Sequence, residues 1–216
     1  MNLNFLHNFR TIKKEINSYS NKINLIVVTK NQSLEKINHL IINGQTDFGE
    51  NKIQEAKLKW NNILNKGQNI KLHFIGKVQS NKIHDLVYFF EFIHSLDSIK
   101  KAKLFAFEEL KISKKLKYFI QVNLAKEIQK SGIYEENLDE LILFCKKINL
   151  NVIGLMCIPP INGNSSFFFK KLNYLSSKYS LNELSMGMSN DYKDAMINGA
   201  TYIRIGSAIF KNDDYD

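Results

Sequence analysis

Cysteine, proline and arginine are all scarce in this chain of 216 residues, and each shortage removes a class of protein. The two cysteines, Cys145 and Cys157, are too few for a disulfide framework or a thiolate metal centre. Both fall among apolar neighbours and read as small core residues. The only prolines, Pro159 and Pro160, are adjacent, and no Gly/Ser/Pro-rich stretch interrupts the chain. One domain over residues 1–216 is therefore expected. Arginine is confined to Arg10 and Arg204. Guanine edges are read chiefly by arginine, so no nucleic-acid partner is expected despite a net charge of +9. Lysines carry that charge, and they spread along the polar faces of helical stretches, as at Lys13, Lys14, Lys57, Lys59, Lys100, Lys101 and Lys103. They read as solvated surface. His7, His39, His73, His84 and His94 show no close ligand spacing, so no metal site is expected. The longest apolar run, "LVYFFEFIHSL", is too short to cross a bilayer and contains Glu91. The opening "MNLNFLHNFRTIKKEI" lacks the apolar core and cleavage site of a signal peptide, so a cytoplasmic location without membrane contact is expected.

What is present is a regular alternation. Phe5, Phe9, Ile12, Ile16 and Tyr19 recur at helical steps and predict an opening amphipathic helix. Strand-like runs then alternate with helical ones: "INLIVVT", "TDFGE", "KLHFIG", "FEFIHSL", "KYFIQVNLA", "NVIGLMCI", "NELSMG" and "TYIRIG". Helices are expected near residues 33–42, 52–64, from Ser80, from Ser98, and near 138–148, 167–178 and 190–198. Eight strand–helix units in an unbroken chain fit a (β/α)₈ TIM barrel with an extra N-terminal helix. An open doubly wound sheet of that many strands would be unusually wide.

In such a barrel the site is built from the loops that follow the strands. The first strand, apolar enough to be buried, leads through Thr29 to Lys30. A lysine in that place is ordinarily the first solvated residue after a strand; the alternative is an amine held at the barrel mouth. The last two loops, "MGMSN" and "RIGS", offer Ser189, Gly206 and Ser207. Singly these are an ordinary helix cap and turn residues. Together, after strands seven and eight, they form the frequent phosphate site of this fold. Arg204 interrupts the apolar strand "TYIRIGSAIF". A closed barrel has no free edge there, so Arg204 is expected to point into the mouth beside a partner, next to the first strand. An amine, a phosphate cradle and an arginine on adjacent strands suggest pyridoxal 5′-phosphate, with the lysine on its aldehyde and the arginine at its ring nitrogen.

The motifs "VVTK", "FGENKIQEA", "LHFIGKVQSNK", "KSG", "GLMCIPP", "LSMGMSND" and "GATYIRIGSAIF" run in series over nearly the whole chain. In their order and spacing the chain resembles the pyridoxal phosphate homeostasis proteins, whose fold is that of the N-terminal domain of alanine racemase. The resemblance implies a Schiff base on Lys30 and phosphate binding by Ser189, Gly206 and Ser207. It implies Asn51 near the cofactor, Arg204 at the ring nitrogen, and Lys130 as a second lysine that takes part in cofactor transfer. Ser207 replaces the family's usual Thr and keeps the hydroxyl; Lys211 stands where a Gly is usual. The implied role is vitamin B6 homeostasis by a monomer that serves cofactor-accepting apo-enzymes, without catalytic turnover. Alanine racemase draws a second base from another domain, and no residues remain here to form one. The competing reading is a racemase-like enzyme, with Tyr202 or Cys157 as the second acid or base.

Overall fold

The computed structural model describes residues 4–64, 69–161 and 163–211. The apolar steps of the N-terminal stretch form α1 (Asn4–Tyr19), which buries Phe5, Phe9, Ile12 and Ile16. Tyr19, expected on the same face, ends the helix and is 53% exposed. Eight parallel strands follow: β1 (Asn24–Val28), β2 (Asp47–Glu50), β3 (Lys71–Phe74), β4 (Phe92–Leu96), β5 (Lys117–Gln121), β6 (Val152–Met156), β7 (Glu183–Ser185) and β8 (Tyr202–Ile205). Each hydrogen-bonds to the next, and β8 pairs with β1 with Arg204 beside Ile26, so the sheet closes into a barrel.

The helices after the strands are α2 (Leu34–Ile42), α3 (Ile53–Leu64), α4 (Ile83–Phe89), α5 (Ile99–Ile112), α6 (Leu138–Lys147), α7 (Ser165–Lys178), α8 (Tyr192–Ile197) and α9 (Ser207–Phe210). Ser33, Ser98 and Asn164 cap α2, α5 and α7, each side chain accepting the N–H three residues on. The expected helix near 190–198 starts later, at Tyr192. The Asp191 carboxylate accepts the Met188 N–H at 2.6 Å and tightens residues 188–191 into a turn, which keeps Ser189 in a loop.

Alternation along the strands separates two cores. Outward residues such as Val27, Phe48, Leu72, Ile93 and Ile203 belong to the large apolar layer that packs the helices. Inward residues Ile26, Phe92, Phe119, Met156 and Tyr202 form a second cluster that plugs the barrel. Gly49 lies on the inward face, where a Cβ would come within 2.9 Å of Ile26 Cγ2. Among the described residues no helix is long and apolar enough to cross a membrane, and no group of His, Cys, Asp and Glu could hold a metal ion.

Candidate functional site

A cleft of about 740 Å³ opens at the carboxyl ends of the strands. Its walls include Ser189, Asp191, Arg204, Gly206, Ser207 and Lys130, so most of the residues singled out in the sequence meet in one place. The two end loops are tied together, since Ser189 Oγ accepts the Ala208 N–H at 3.1 Å. Gly206 lies against β1, where an added Cβ would stand 3.1 Å from Val28 O. Among the described residues, the N–H groups of Ser189 and Ser207 have no protein acceptor. Free amides, hydroxyls and a backbone that closes in where glycine stands make a surface for an anion.

Arg204 supplies the charge. It is 4% exposed and lines the cleft. Its Nη1 donates to Ser185 Oγ at 2.5 Å and its Nη2 to Cys157 O at 3.1 Å. Burial brings its pKa down to about 10, so it stays protonated at neutral pH. Burial also raises the Asp191 carboxyl above its ordinary value, an effect opposed by the bond from Met188 and the charge of Arg204.

Lys30 is exposed and is not among the residues that line the cleft, whereas Val28, two residues earlier, is. The backbone on either side of it is held firmly. Thr29 N–H donates to Gly49 O at 3.1 Å, and its hydroxyl donates to Glu50 Oε1 at 2.6 Å. Asn31 takes a left-handed φ of 58° and donates its N–H to Glu55 Oε1 at 2.6 Å. Lys59 Nζ bonds Thr29 O and pairs with Glu50 at 3.2 Å and Glu55 at 2.6 Å. Trp60 Nε1 donates to Glu50 at 3.1 Å. Lys59, expected on the solvated surface, is therefore buried, with 8% exposure. One helix step from α3 carries this cation back under β1, where two carboxylates receive it.

The remaining expectations fall as follows. Lys130 lines both the cleft and an adjoining pocket of about 220 Å³ with Gln121, Asn123 and Ser131. Its Nζ pairs with Glu127 at 2.6 Å and donates to Pro159 O at 3.3 Å. Asn51 does not line the cleft; it belongs to a separate pocket of about 340 Å³ with Lys52, Lys77 and Lys82. Cys145 and Cys157 are both buried free thiols. Sequence reasoning missed the groups behind Arg204: Ser185, His94, His73 and Asp47 follow one another through the barrel interior. The available signal was the one that exposed Arg204, a polar residue at an inward position of an apolar strand.

A closed barrel of eight parallel strands with its helices outside is a TIM barrel, a fold that alanine racemase shares. Comparisons with known proteins place the chain more narrowly. No family model matches it. The pyridoxal phosphate homeostasis protein of Buchnera aphidicola from Schizaphis graminum is 37% identical, over 95% of this chain and 96% of that protein. The Synechocystis protein of the same name is 38% identical over 87% of this chain and 90% of its own length. The chain belongs to the pyridoxal phosphate homeostasis protein family. The solved structure of PipY from Synechococcus elongatus, with PLP bound, superposes with a TM-score of 0.87 at 28% identity, covering 95% of this chain and 99% of that one. Alanine racemase from Corynebacterium glutamicum shares the fold at 13% identity, with a TM-score of 0.70 over 95% of this chain and 60% of that one.

Proposed function

We propose that this protein binds pyridoxal 5′-phosphate in the cleft, anchors it on Lys30, and serves vitamin B6 homeostasis without catalytic turnover. The observation that carries the reading is the meeting of Ser189, Arg204, Gly206 and Ser207 in one cleft that Val28, two residues before Lys30, also lines. Relatives named for pyridoxal phosphate homeostasis and the PLP-bound PipY structure support the choice of ligand. When bound, the cofactor supplies an aldehyde that condenses reversibly with an amine, releasing water, and a ring that withdraws electrons.

The residues fit that group. The unpaired amides and the hydroxyls of Ser189 and Ser207 would take the phosphate, beside Gly206, whose lack of a side chain lets the loop pack against Val28. Arg204 would be the donor toward the ring nitrogen, and it would keep its own proton. The Thr29–Asn31 clamp fixes the backbone from which the exposed Lys30 would reach the cofactor. Lys130 lines both the cleft and the side pocket, which supports a part for it in passing the cofactor to an acceptor apo-enzyme.

The racemase-like reading needs a second acid or base, and burial works against both candidates. It raises the Tyr202 phenol and the Cys157 thiol to about 12. Neither exchanges protons readily at neutral pH. The test is borohydride reduction of the loaded protein followed by peptide mass mapping. The adduct is expected on Lys30, and adducts found only on other lysines would refute the assignment. Interconversion of L- and D-alanine faster than with free cofactor, abolished by Lys30→Ala, would establish the enzyme reading instead.

A further inference from the structure

Behind Arg204 a single file of hydrogen bonds crosses the barrel interior from mouth to base. Arg204 Nη1 donates to Ser185 Oγ. Ser185 Oγ lies 2.7 Å from His94 Nδ1, His94 Nε2 lies 3.0 Å from His73 Nδ1, and His73 Nε2 lies 3.0 Å from Asp47 Oδ1. Thr46 completes the file by donating its hydroxyl to Asp47 Oδ2 at 2.6 Å. Asp47 opens β2, so it stands at the amino-terminal end of the barrel, opposite the cleft. Both imidazoles are fully buried, and each lies flat on a ring of the barrel plug. His73 stacks on Phe92 at 4.2 Å and His94 on Phe119 at 4.3 Å.

Donor and acceptor chemistry allows this file one consistent direction. The Asp47 carboxylate only accepts, so His73 donates to it from Nε2, and a neutral His73 is left with a bare Nδ1. His94 donates to that nitrogen from Nε2, and a neutral His94 is left in turn with a bare Nδ1. The Ser185 hydroxyl proton goes to His94 Nδ1, and Ser185 Oγ accepts from Arg204, whose guanidinium only donates. Protonating either ring would put a proton on a nitrogen that now accepts a bond, and burial holds both rings in the neutral form.

We propose that Asp47 is a positioning residue for the cleft, acting on Arg204 through His73, His94 and Ser185. The carboxylate sets the tautomer of both imidazoles, and the tautomers commit the Ser185 hydroxyl proton to His94, which leaves both Ser185 lone pairs free of the imidazole and open to Arg204. Of the five N–H donors of a guanidinium, two are committed to Ser185 and Cys157 and orient the fork. The others are left to face what enters the cleft. A file that merely satisfied buried polar groups would work equally well in the opposite sense, with both imidazole protons on Nδ1. The carboxylate forbids that sense, because it cannot donate.

The effect on cofactor binding rests on the function proposed above; the tautomer assignment does not. The experiment therefore has two arms. Imidazole ¹⁵N NMR on the protein without cofactor should show His73 and His94 neutral and protonated on Nε2 at pH 7. An Nδ1-protonated His94 in the unaltered protein would overturn the proposal with no variant needed. Asp47→Asn can donate as well as accept, so it should move the His94 and Arg204 nitrogen resonances as well as those of His73. In the second arm, Asp47→Asn should weaken pyridoxal phosphate binding by about threefold or more and shift the absorption band of the bound cofactor. A merely structural role would lower the melting temperature and leave His94, Arg204, affinity and spectrum unchanged, which would also overturn the proposal. If Asp47→Asn fails to fold, Thr46→Val trims the same carboxylate's bonding from outside, and smaller shifts in the same signals are expected. Should the unaltered protein not bind pyridoxal phosphate, the function proposed above fails, and the NMR arm still decides the relay.

Discussion

Lys59 shows how much a single residue does at a distance from the cleft. Its ammonium is enclosed by Thr29 O, Glu50 and Glu55, and Glu50 is itself fully buried. Removing one partner of a buried ion pair strands the other charge, at a cost of about 3–5 kcal/mol. Lys59→Met is expected to destabilise the protein by that amount in urea titrations. Adding Glu50→Gln should recover much of the loss, because a neutral amide can still meet Thr29 and Trp60. A Lys59→Met protein within 1 kcal/mol of the parent, a size typical of exposed ion pairs, would mean that water reaches the cluster. The sequence hid this role for a physical reason. Lysine is so often solvated that Lys59 looks like its neighbour Lys57, which does lie at the surface in a pair with Asp85. Only the packing of α3 under β1 separates the two.

At the level of elements, the two loops after β7 and β8 act as one unit because Ser189 caps the Ala208 N–H across them. The double variant Ser189→Ala, Ser207→Ala removes that tie and the two hydroxyls of the proposed phosphate site. Each charge-assisted hydrogen bond is worth roughly 1.5–3 kcal/mol, so a loss of about tenfold or more in cofactor affinity per site is expected by equilibrium dialysis. Faster hydrogen exchange at Ala208 should accompany it, while the melting transition stays cooperative. Unchanged affinity would move the phosphate elsewhere. The strands and most helices were legible because alternation and 3.6-residue periodicity are imposed by burial on one face. The start of α8 was not, because a side chain rather than a pattern decides it: the Asp191 carboxylate captures the Met188 N–H and delays the helix past Ser189.

Across the whole molecule, barrel closure is what turns scattered polar residues into a system. The pairing of β1 with β8 follows from counting eight strands, and so Arg204 beside the first strand was legible. His73 and His94 were not read together, since nothing in their spacing says that β3 and β4 aim both rings inward. Their joint burial has a consequence for stability. Desolvation lowers both imidazole pKa values below that of an exposed histidine; at His73 Asp47 opposes the shift while Lys71 and Lys117 reinforce it, and at His94 His73 and Arg204 reinforce it. Below about pH 6.5 the unfolded chain then binds protons that the native barrel refuses, so stability must fall as pH falls. Each histidine contributes at most about 1.4 kcal/mol per pH unit. Asp47 is depressed in the native state by its bonds from His73 and Thr46, against the effect of burial, and its contribution is lost only at lower pH, beneath the ordinary carboxylate range. Urea unfolding at pH 7, 6 and 5 should therefore show a steady loss over a range where exposed carboxylates are still ionised. His94→Gln, which keeps a donor and an acceptor but cannot titrate, should roughly halve the slope. A flat profile from pH 7 to 5 in the unaltered protein would mean that the two rings take up protons in place, and the interior file of hydrogen bonds would have to be redrawn with charged imidazoles.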